Sequence, residues 1–342
     1  MNRPWLAPLT PLYAAGLALR NLRLGTSFEP VQRLRWPVVS IGNLSTGGSG
    51  KTPLTIALAR ELVALGIQVD VLSRGYGRQS RLAARVIPGG TAGDFGDEPL
   101  LVAREAGVPV YVAAQRYHAG LLAESDQPDP APPHIHLLDD GFQHRQLHRD
   151  IDILLLDRRD LTDSLLPAGN LREPLRNLSR ATVIAVRDDE PEIEQYLQET
   201  VLIDRNSEGS RWLGPIWRLK RTMQVPQGTG PVVAFCGIAR PQQFFAGLES
   251  AGLRLAAKII FPDHHRYAPN DLNRLVTTVR NTAASALVTT EKDKVRLGKL
   301  AASLPESLPL LTAGLRVEIE SESEVIHWLM NRLGATPLLP PL

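Results

Sequence analysis

The residue types best suited to chemistry in this 342-residue chain lie together in Ser45-Thr46-Gly47-Gly48-Ser49-Gly50-Lys51-Thr52. Glycines at 47, 48 and 50 let backbone N–H groups close around an anion, with φ > 0 where the turn requires it. Lys51 is placed to reach the β- and γ-phosphates of a nucleotide, and the Thr52 hydroxyl to ligate Mg²⁺. One position departs from G-x-x-x-x-G-K-[ST]: the first glycine is replaced by Ser45. A second cluster closes the apolar run His134-Ile135-His136-Leu137-Leu138-Asp139-Asp140. A strand ending in aspartate is the Walker B arrangement, whose carboxylate holds the Mg²⁺ that bridges the phosphates. Two adjacent aspartates repel unless a cation sits between them, so Asp139 and Asp140 are both metal candidates. The expected ligands are therefore ATP and Mg²⁺.

These groups need a strand, a tight loop and a helix to hold them. Val38, Val39 and Ile41 read as a buried strand before the loop, and residues 53–65 as a helix after it, the layout of a P-loop. Further strands are expected at 67–72, 108–113, 134–139, 151–157 and 181–186, with helices between them. The loop 73–78 follows a strand end, where open α/β sheets bind ligands. Gly96-Asp97-Glu98-Pro99 opens a helix running to Ala106; its carboxylates could cap that helix or accept a proton from an acceptor hydroxyl. Residues 127–133 read as a proline-rich loop and 165–174 as an irregular one. After a polar break at 207–210 and a connecting strand at 212–220, the strand–helix rhythm repeats, with strands near 232–236, 255–261, 286–290 and 308–311. This second unit has no P-loop, but carries Asp263-His264-His265 and Thr289-Thr290-Glu291-Lys292-Asp293. The His pair lacks further ligands at readable spacing, which argues against zinc. Asp94-Phe95-Gly96 and His148-Arg149-Asp150 mimic protein-kinase motifs but occur in the wrong order. The predicted fold is α/β: a P-loop, mostly parallel sheet flanked by helices, with a smaller second α/β unit and an N-terminal apolar helix. The expected division is 1–30, 31–205 and 206–342.

Composition narrows the classes. Hydrophobic content of 43% and charged content of 22% are ordinary for a globular protein. A net charge of +2 and no interleaving of aromatics with basic residues argue against a nucleic-acid partner. Arginines cluster around 74–85, 145–159 and 172–180, and arginine suits bidentate phosphate recognition. The single cysteine, Cys236, excludes an internal disulfide framework. Residues 4–24 carry no charge between Arg3 and Arg20, yet three prolines make the segment too broken to span a bilayer. Trp5, Tyr13, Arg20 and Arg23 suit a helix lying in a membrane interface. A helix packed on the protein's own core suits them equally.

Taken with Ser73-Arg74-Gly75-Tyr76-Gly77, Gly237-Ile238-Ala239-Arg240-Pro241 and Pro262-Asp263-His264, the motifs above resemble those of the tetraacyldisaccharide 4′-kinases, the lipid A 4′-kinases of Gram-negative bacteria. The likeness runs in order from about 36 to 293. It implies a P-loop that tolerates Ser45, and transfer of the ATP γ-phosphoryl group to the 4′-hydroxyl of a tetraacyl glucosamine disaccharide 1-phosphate. It further implies Asp97 as catalytic base with His264 in support, alongside Lys51. Arg74 and Arg172 are expected to meet anionic groups, with Glu173 and Asp263 as their partners. The N-terminal helix is then expected at the cytoplasmic face of the inner membrane, peripheral or monotopic, with no obligate protein partner. The competing expectation is a membrane-recruited P-loop ATPase switch without a lipid substrate.

Overall fold

The structure, a computed structural model, describes residues 3–26, 29–127, 133–201, 214–226 and 230–334. The expected polar break at 207–210, the start of the connecting strand at 212 and most of the proline-rich loop lie outside the described residues. Helices are α1 (Thr10–Arg23), α2 (Lys51–Ala64), α3 (Ala92–Phe95), α4 (Asp97–Ala106), α5 (Arg116–Asp126), α6 (Pro191–Tyr196), α7 (Pro241–Ser250), α8 (Pro269–Thr282), α9 (Glu291–Leu297) and α10 (Glu322–Leu333). Strands are β1 (Val38–Asn43), β2 (Gln68–Ser73), β3 (Ala84–Arg85), β4 (Val110–Val112), β5 (His134–Asp139), β6 (Ile151–Leu155), β7 (Val183–Arg187), β8 (Ile216–Gln224), β9 (Val232–Cys236), β10 (Leu255–Ile260), β11 (Ala286–Thr290) and β12 (Leu310–Ile319).

All twelve strands belong to one sheet, in the order β10-β9-β11-β12-β8-β7-β6-β1-β5-β2-β4-β3. Strand β1 runs parallel between β5 and β6, so the chain leaves the middle of the sheet at its carboxyl edge, where a doubly wound sheet binds ligands. Its six residues are all buried, as a strand covered by helices on both faces must be. Helix α2 then lays Leu54, Leu58 and Leu62 on Val39 and Ile41.

Two features of the sheet differ from the pattern in the sequence. Strand β12 is two and a half times as long as the run at 308–311, because the alternation Leu315, Val317, Ile319 against Arg316 and Glu318 continues it. Over 310–313 it pairs parallel with β11; over 314–319 it pairs antiparallel with β8. That single strand makes the sheet continuous from one edge to the other. The core beneath α2 accordingly includes Trp217 and Leu219 of β8, Val317 and Ile319 of β12, and Val325, Ile326, Leu329 and Met330 of α10. The second feature is β3, a two-residue edge strand too short for any periodicity to register. Helix α2 also starts at Lys51, two residues before the expected position, since Gly50 at φ +101° turns directly into it.

Helix α1 begins where proline permits, with Pro11 in its first turn and a 3-10 turn over Pro4–Leu9 before it. It has no buried residue. Tyr13 Oη donates to the Arg172 carbonyl (3.0 Å), Arg20 pairs with Glu173 (3.5 Å), and Arg145 donates to Asn21 (2.8 Å). Its large side chains Leu12 and Leu22, and Trp5 just before it, stand about three-quarters exposed.

Candidate active site

The loop expected to hold phosphate is braced before it turns. Thr46 N–H donates to Asn170 O (2.8 Å), Arg172 N–H donates to Leu44 O (2.7 Å), and Ser45 forms a bridge with Leu171. Gly47 and Gly50 both take φ near +100°, a conformation that strains any residue with a Cβ. The irregular segment 165–174 is thus the floor of the loop. Lys51 Nζ donates to Asn43 Oδ1 (2.9 Å) and lies 3.4 Å from Asp140. Thr52 is buried in the first turn of α2, with its backbone N–H among the unpaired donors of the helix start.

Asp139 and Asp140 end β5 beside this loop, and their environments differ. Asp139 is buried, accepts from Thr55 Oγ1 (3.3 Å), and is pushed up to about 7 by burial and by the charges of Glu98 and Asp140. Asp140 sits at φ +52° and accepts both its oxygens' contacts from Arg172 Nη1 (3.0 Å each). Burial opposes its ionisation, but Lys51 and Arg172 hold it well below the usual carboxylate range. Asp139 is therefore a carboxylate short of a cation. Asp139, Asp140 and the Thr52 hydroxyl offer only oxygen donors, the chemistry that suits Mg²⁺.

Asp97 starts α4, at the neck of the Gly96 turn (φ +90°). It receives Arg296 Nε (2.8 Å) and Nη2 from α9, and His264 Nδ1 lies 3.2 Å from the same oxygen. Burial would raise its pKa; the His264 hydrogen bond and the Arg296 charge draw it far below the usual range. His264, at φ +57°, is raised by its hydrogen bond to Asp97 and keeps its ring 5.2 Å from that of Tyr76. Arg296 also donates to Gly237 O and to buried Asp293 (3.0 Å). Asp293 in turn accepts from Gly237 N–H (3.0 Å), Thr290 Oγ1 (2.7 Å) and Tyr267 Oη (3.0 Å). Neighbouring Lys292 pairs with Glu98. Thus the motifs at 237–241, 262–264 and 289–293 come to one place and grip Asp97 and Glu98. Sequence analysis overlooked Arg296; its signal was its place one helical turn after Asp293.

The remaining expected residues sort into two settings. Arg74 is exposed at the end of β2, and its charge reaches Arg116 and His144. Arg116 is buried, donates to Asp140 O (3.5 Å), and is lowered to about 10 by burial. His144 is lowered to about 3 by burial and by Arg116, Arg149, Arg74 and Arg20. Arg74, Arg116 and Arg172 thus make a basic wall beside the phosphate loop, with His144 held neutral among them. Glu173, by contrast, is 1% exposed and pairs with Arg180 (2.7 Å), Asn177 (2.6 Å) and Arg20 rather than with Arg172. Asp263 accepts from the His264 N–H (3.0 Å). His264 and His265 face different partners, His265 pairing with Asp271 at 2.9 Å, so the two rings do not converge on one point.

A glycine loop at the carboxyl edge of a parallel sheet, with Lys and Thr at the helix start and paired aspartates on the next strand, defines a P-loop phosphotransferase-type protein. The family model described as tetraacyldisaccharide-1-P 4′-kinase matches residues 2–334. The chain belongs to that family. It is 42% identical to a tetraacyldisaccharide 4′-kinase of Koribacter versatilis over 96% of this chain and 99% of that one. A tetraacyldisaccharide 4′-kinase of Geobacter metallireducens is 36% identical over 87% and 90% respectively. The crystal structure of LpxK from Aquifex aeolicus in complex with ATP superposes with a TM-score of 0.71 at 30% identity, covering 96% of this chain and 98% of that one.

Proposed function

We propose that the protein transfers the γ-phosphoryl group of ATP to the 4′-hydroxyl of a tetraacyldisaccharide 1-phosphate, the lipid A precursor. The observation that carries this reading is the grip on Asp97. A carboxylate from the P-loop half is held by Arg296 and His264 from beyond the sheet's midpoint, while its neighbour Glu98 acts on Asp139 and Lys51 through space. An ATPase switch without a lipid substrate has no use for such a group, and membership of the kinase family weighs against that alternative.

Phosphoryl transfer passes through a loose transition state, so the protein's work is positioning and charge neutralisation. Lys51 and the N–H groups of residues 45–52 take the β- and γ-phosphates. Thr52, Asp139 and Asp140 would hold Mg²⁺, which would supply charge neutralisation at the phosphate oxygens. Asp97 accepts the hydrogen bond of the 4′-hydroxyl and directs its lone pair at the γ-phosphorus. Its low basicity suits this role, because in a loose transition state the hydroxyl proton departs late. Asp97 takes up the proton as it leaves, and His264 beside it supports the carboxyl. The basic wall of Arg74, Arg116 and Arg172 faces the anionic 1-phosphate end of the lipid. The units built around β1 and around β9–β11 close on the sugar and exclude water.

Among the described residues no helix is long and apolar enough to cross a membrane. The exposed Trp5, Leu12 and Leu22 with Arg23 fit instead a helix laid in the interface of the inner membrane's cytoplasmic leaflet. The reading predicts that L12D/L22D lowers flotation with anionic vesicles. The decisive assay follows label from γ-³²P-ATP, with Mg²⁺ and detergent, onto the tetraacyldisaccharide 1-phosphate. Labelled lipid that disappears in K51A supports the kinase reading. Lipid-independent phosphate release without labelled lipid refutes it.

A further inference from the structure

Arg221 lies on β8, at the flank of the phosphate loop away from Asp139 and Asp97. Its guanidinium carbon is 3.7 Å, and its Nε and Nη2 3.9 Å, from the point a Cβ on Gly50 would occupy. The side chain therefore rests directly over the turn that opens α2. It lines a small cavity there with Ser49, Asp157, Arg187 and Val317.

Two things set this arginine apart. Among the described residues it has no hydrogen-bond or ion-pair partner, while its neighbours are all engaged. Asp157 is taken by Arg159 (3.0 Å) and Arg240 (2.7 Å), and Asp189 by Arg187. The second is the company it keeps: burial and the like charges of Arg187 and Arg240 lower its pKa, against a smaller pull from Asp157 and Asp189. A chain folding for stability alone gains nothing from holding an unpaired guanidinium, flanked by two others, against an anion-binding loop. Lys51 cannot serve this flank, because it is directed at Asn43 and Asp140 toward β5.

We propose that Arg221 binds the polyphosphate of the nucleotide, from the β8 side of the loop, as a second cationic arm opposite Lys51. The inference rests on residues 45–52 being the phosphate loop. Because guanidinium–phosphate contacts are charge-assisted and bidentate, Arg221 contributes to affinity for ATP and for ADP alike. It acts on nucleotide binding rather than on the hydroxyl, so it raises KM for ATP when lost and leaves kcat at saturation nearly unchanged.

The test is calorimetric titration of ATP and ADP into the full chain with R221M, an uncharged side chain of similar reach. K51A is run in parallel. Expected for R221M is about a 10–100-fold weaker Kd for both nucleotides. A shallower dependence of Kd on salt, kcat within about threefold and a nucleotide-free Tm equal to or above wild type, since a repulsion has been removed, should accompany it. R221M binding ATP as wild type does, or losing affinity equally at 1 M and at low salt, overturns the proposal. Weak binding by K51A with normal binding by R221M leaves the loop in place and rejects only the second arm. Normal binding by K51A rejects the reading of the loop, and the R221M titration still decides Arg221.

Discussion

Strand β5 carries a buried charge cluster at each end, and the two are balanced differently. At its start, Asp70 of β2 accepts from His134 Nε2 (2.8 Å) and His136 Nδ1 (2.7 Å), and His136 Nε2 lies 3.5 Å from Glu124. Trp36 stacks on His134 with ring centroids 3.7 Å apart, and all three polar side chains are buried. Burial opposes both ionisations, yet Asp70 is drawn down by the charge of His136, and His136 is raised to about 9 by Asp70 and Glu124. The charges answer one another. At the strand's end, Asp139 stands among Glu98 and Asp140 with too little positive charge, and is pushed up to about 7. The same strand thus holds one cluster whose charges answer one another and one whose carboxylates outweigh the cations beside them. Burial is common to both; what marks the functional end is the unbalanced charge.

The contrast can be broken at either end. At the carboxyl edge, D97N should lower kcat by about 10²–10⁴-fold with ATP affinity nearly unchanged. Steady-state kinetics beside ATP titration check this; equal loss of ATP binding would move Asp97 into the nucleotide site. At the opposite end, D70N leaves a buried histidinium without its partner and should destabilise the fold by about 3–5 kcal/mol. Urea unfolding measures that loss, and kcat of the folded fraction should stay at the wild-type value. The His136 pair also carries a pH signature. Its folded pKa of about 9 lies above the ordinary histidine value of 6.5, so its contribution is complete below about 6.5 and is lost as pH rises through about 9. The urea midpoint should therefore fall between those limits, and the fall should be smaller in H136F.

Much of the site was legible because its chemistry needs rare local patterns. Gly-Lys-Thr after a strand, and two aspartates ending another, are hard to explain except by phosphate and cation binding. Asp97 and His264 lie 167 positions apart, and the resemblance to the lipid kinases linked them before geometry did. What escaped was set by tertiary structure. Arg296 has no motif of its own and matters because α9 aims it at Asp97. The pairing of Asp70 with His134 and His136 depends on the register of β2 against β5. Strand β12 was read at less than half its length, because alternation in a half-buried strand gives a weaker signal than the apolar run before it. Glu173 looked like part of the binding loop, yet its local sequence does not record that Arg20 and Arg180 close over it.

The central claim is that Asp139 awaits a cation delivered with the nucleotide. Burial and the charges of Glu98 and Asp140 push it up to about 7, so cation binding should displace protons near neutral pH. Calorimetric titration of ATP with Mg²⁺ at pH 7, repeated in buffers of different ionisation enthalpy, counts protons released. The account predicts a release of a few tenths of a proton to one per site, lost in D139N and retained in D70N. Equal proton counts for wild type and D139N would contradict it.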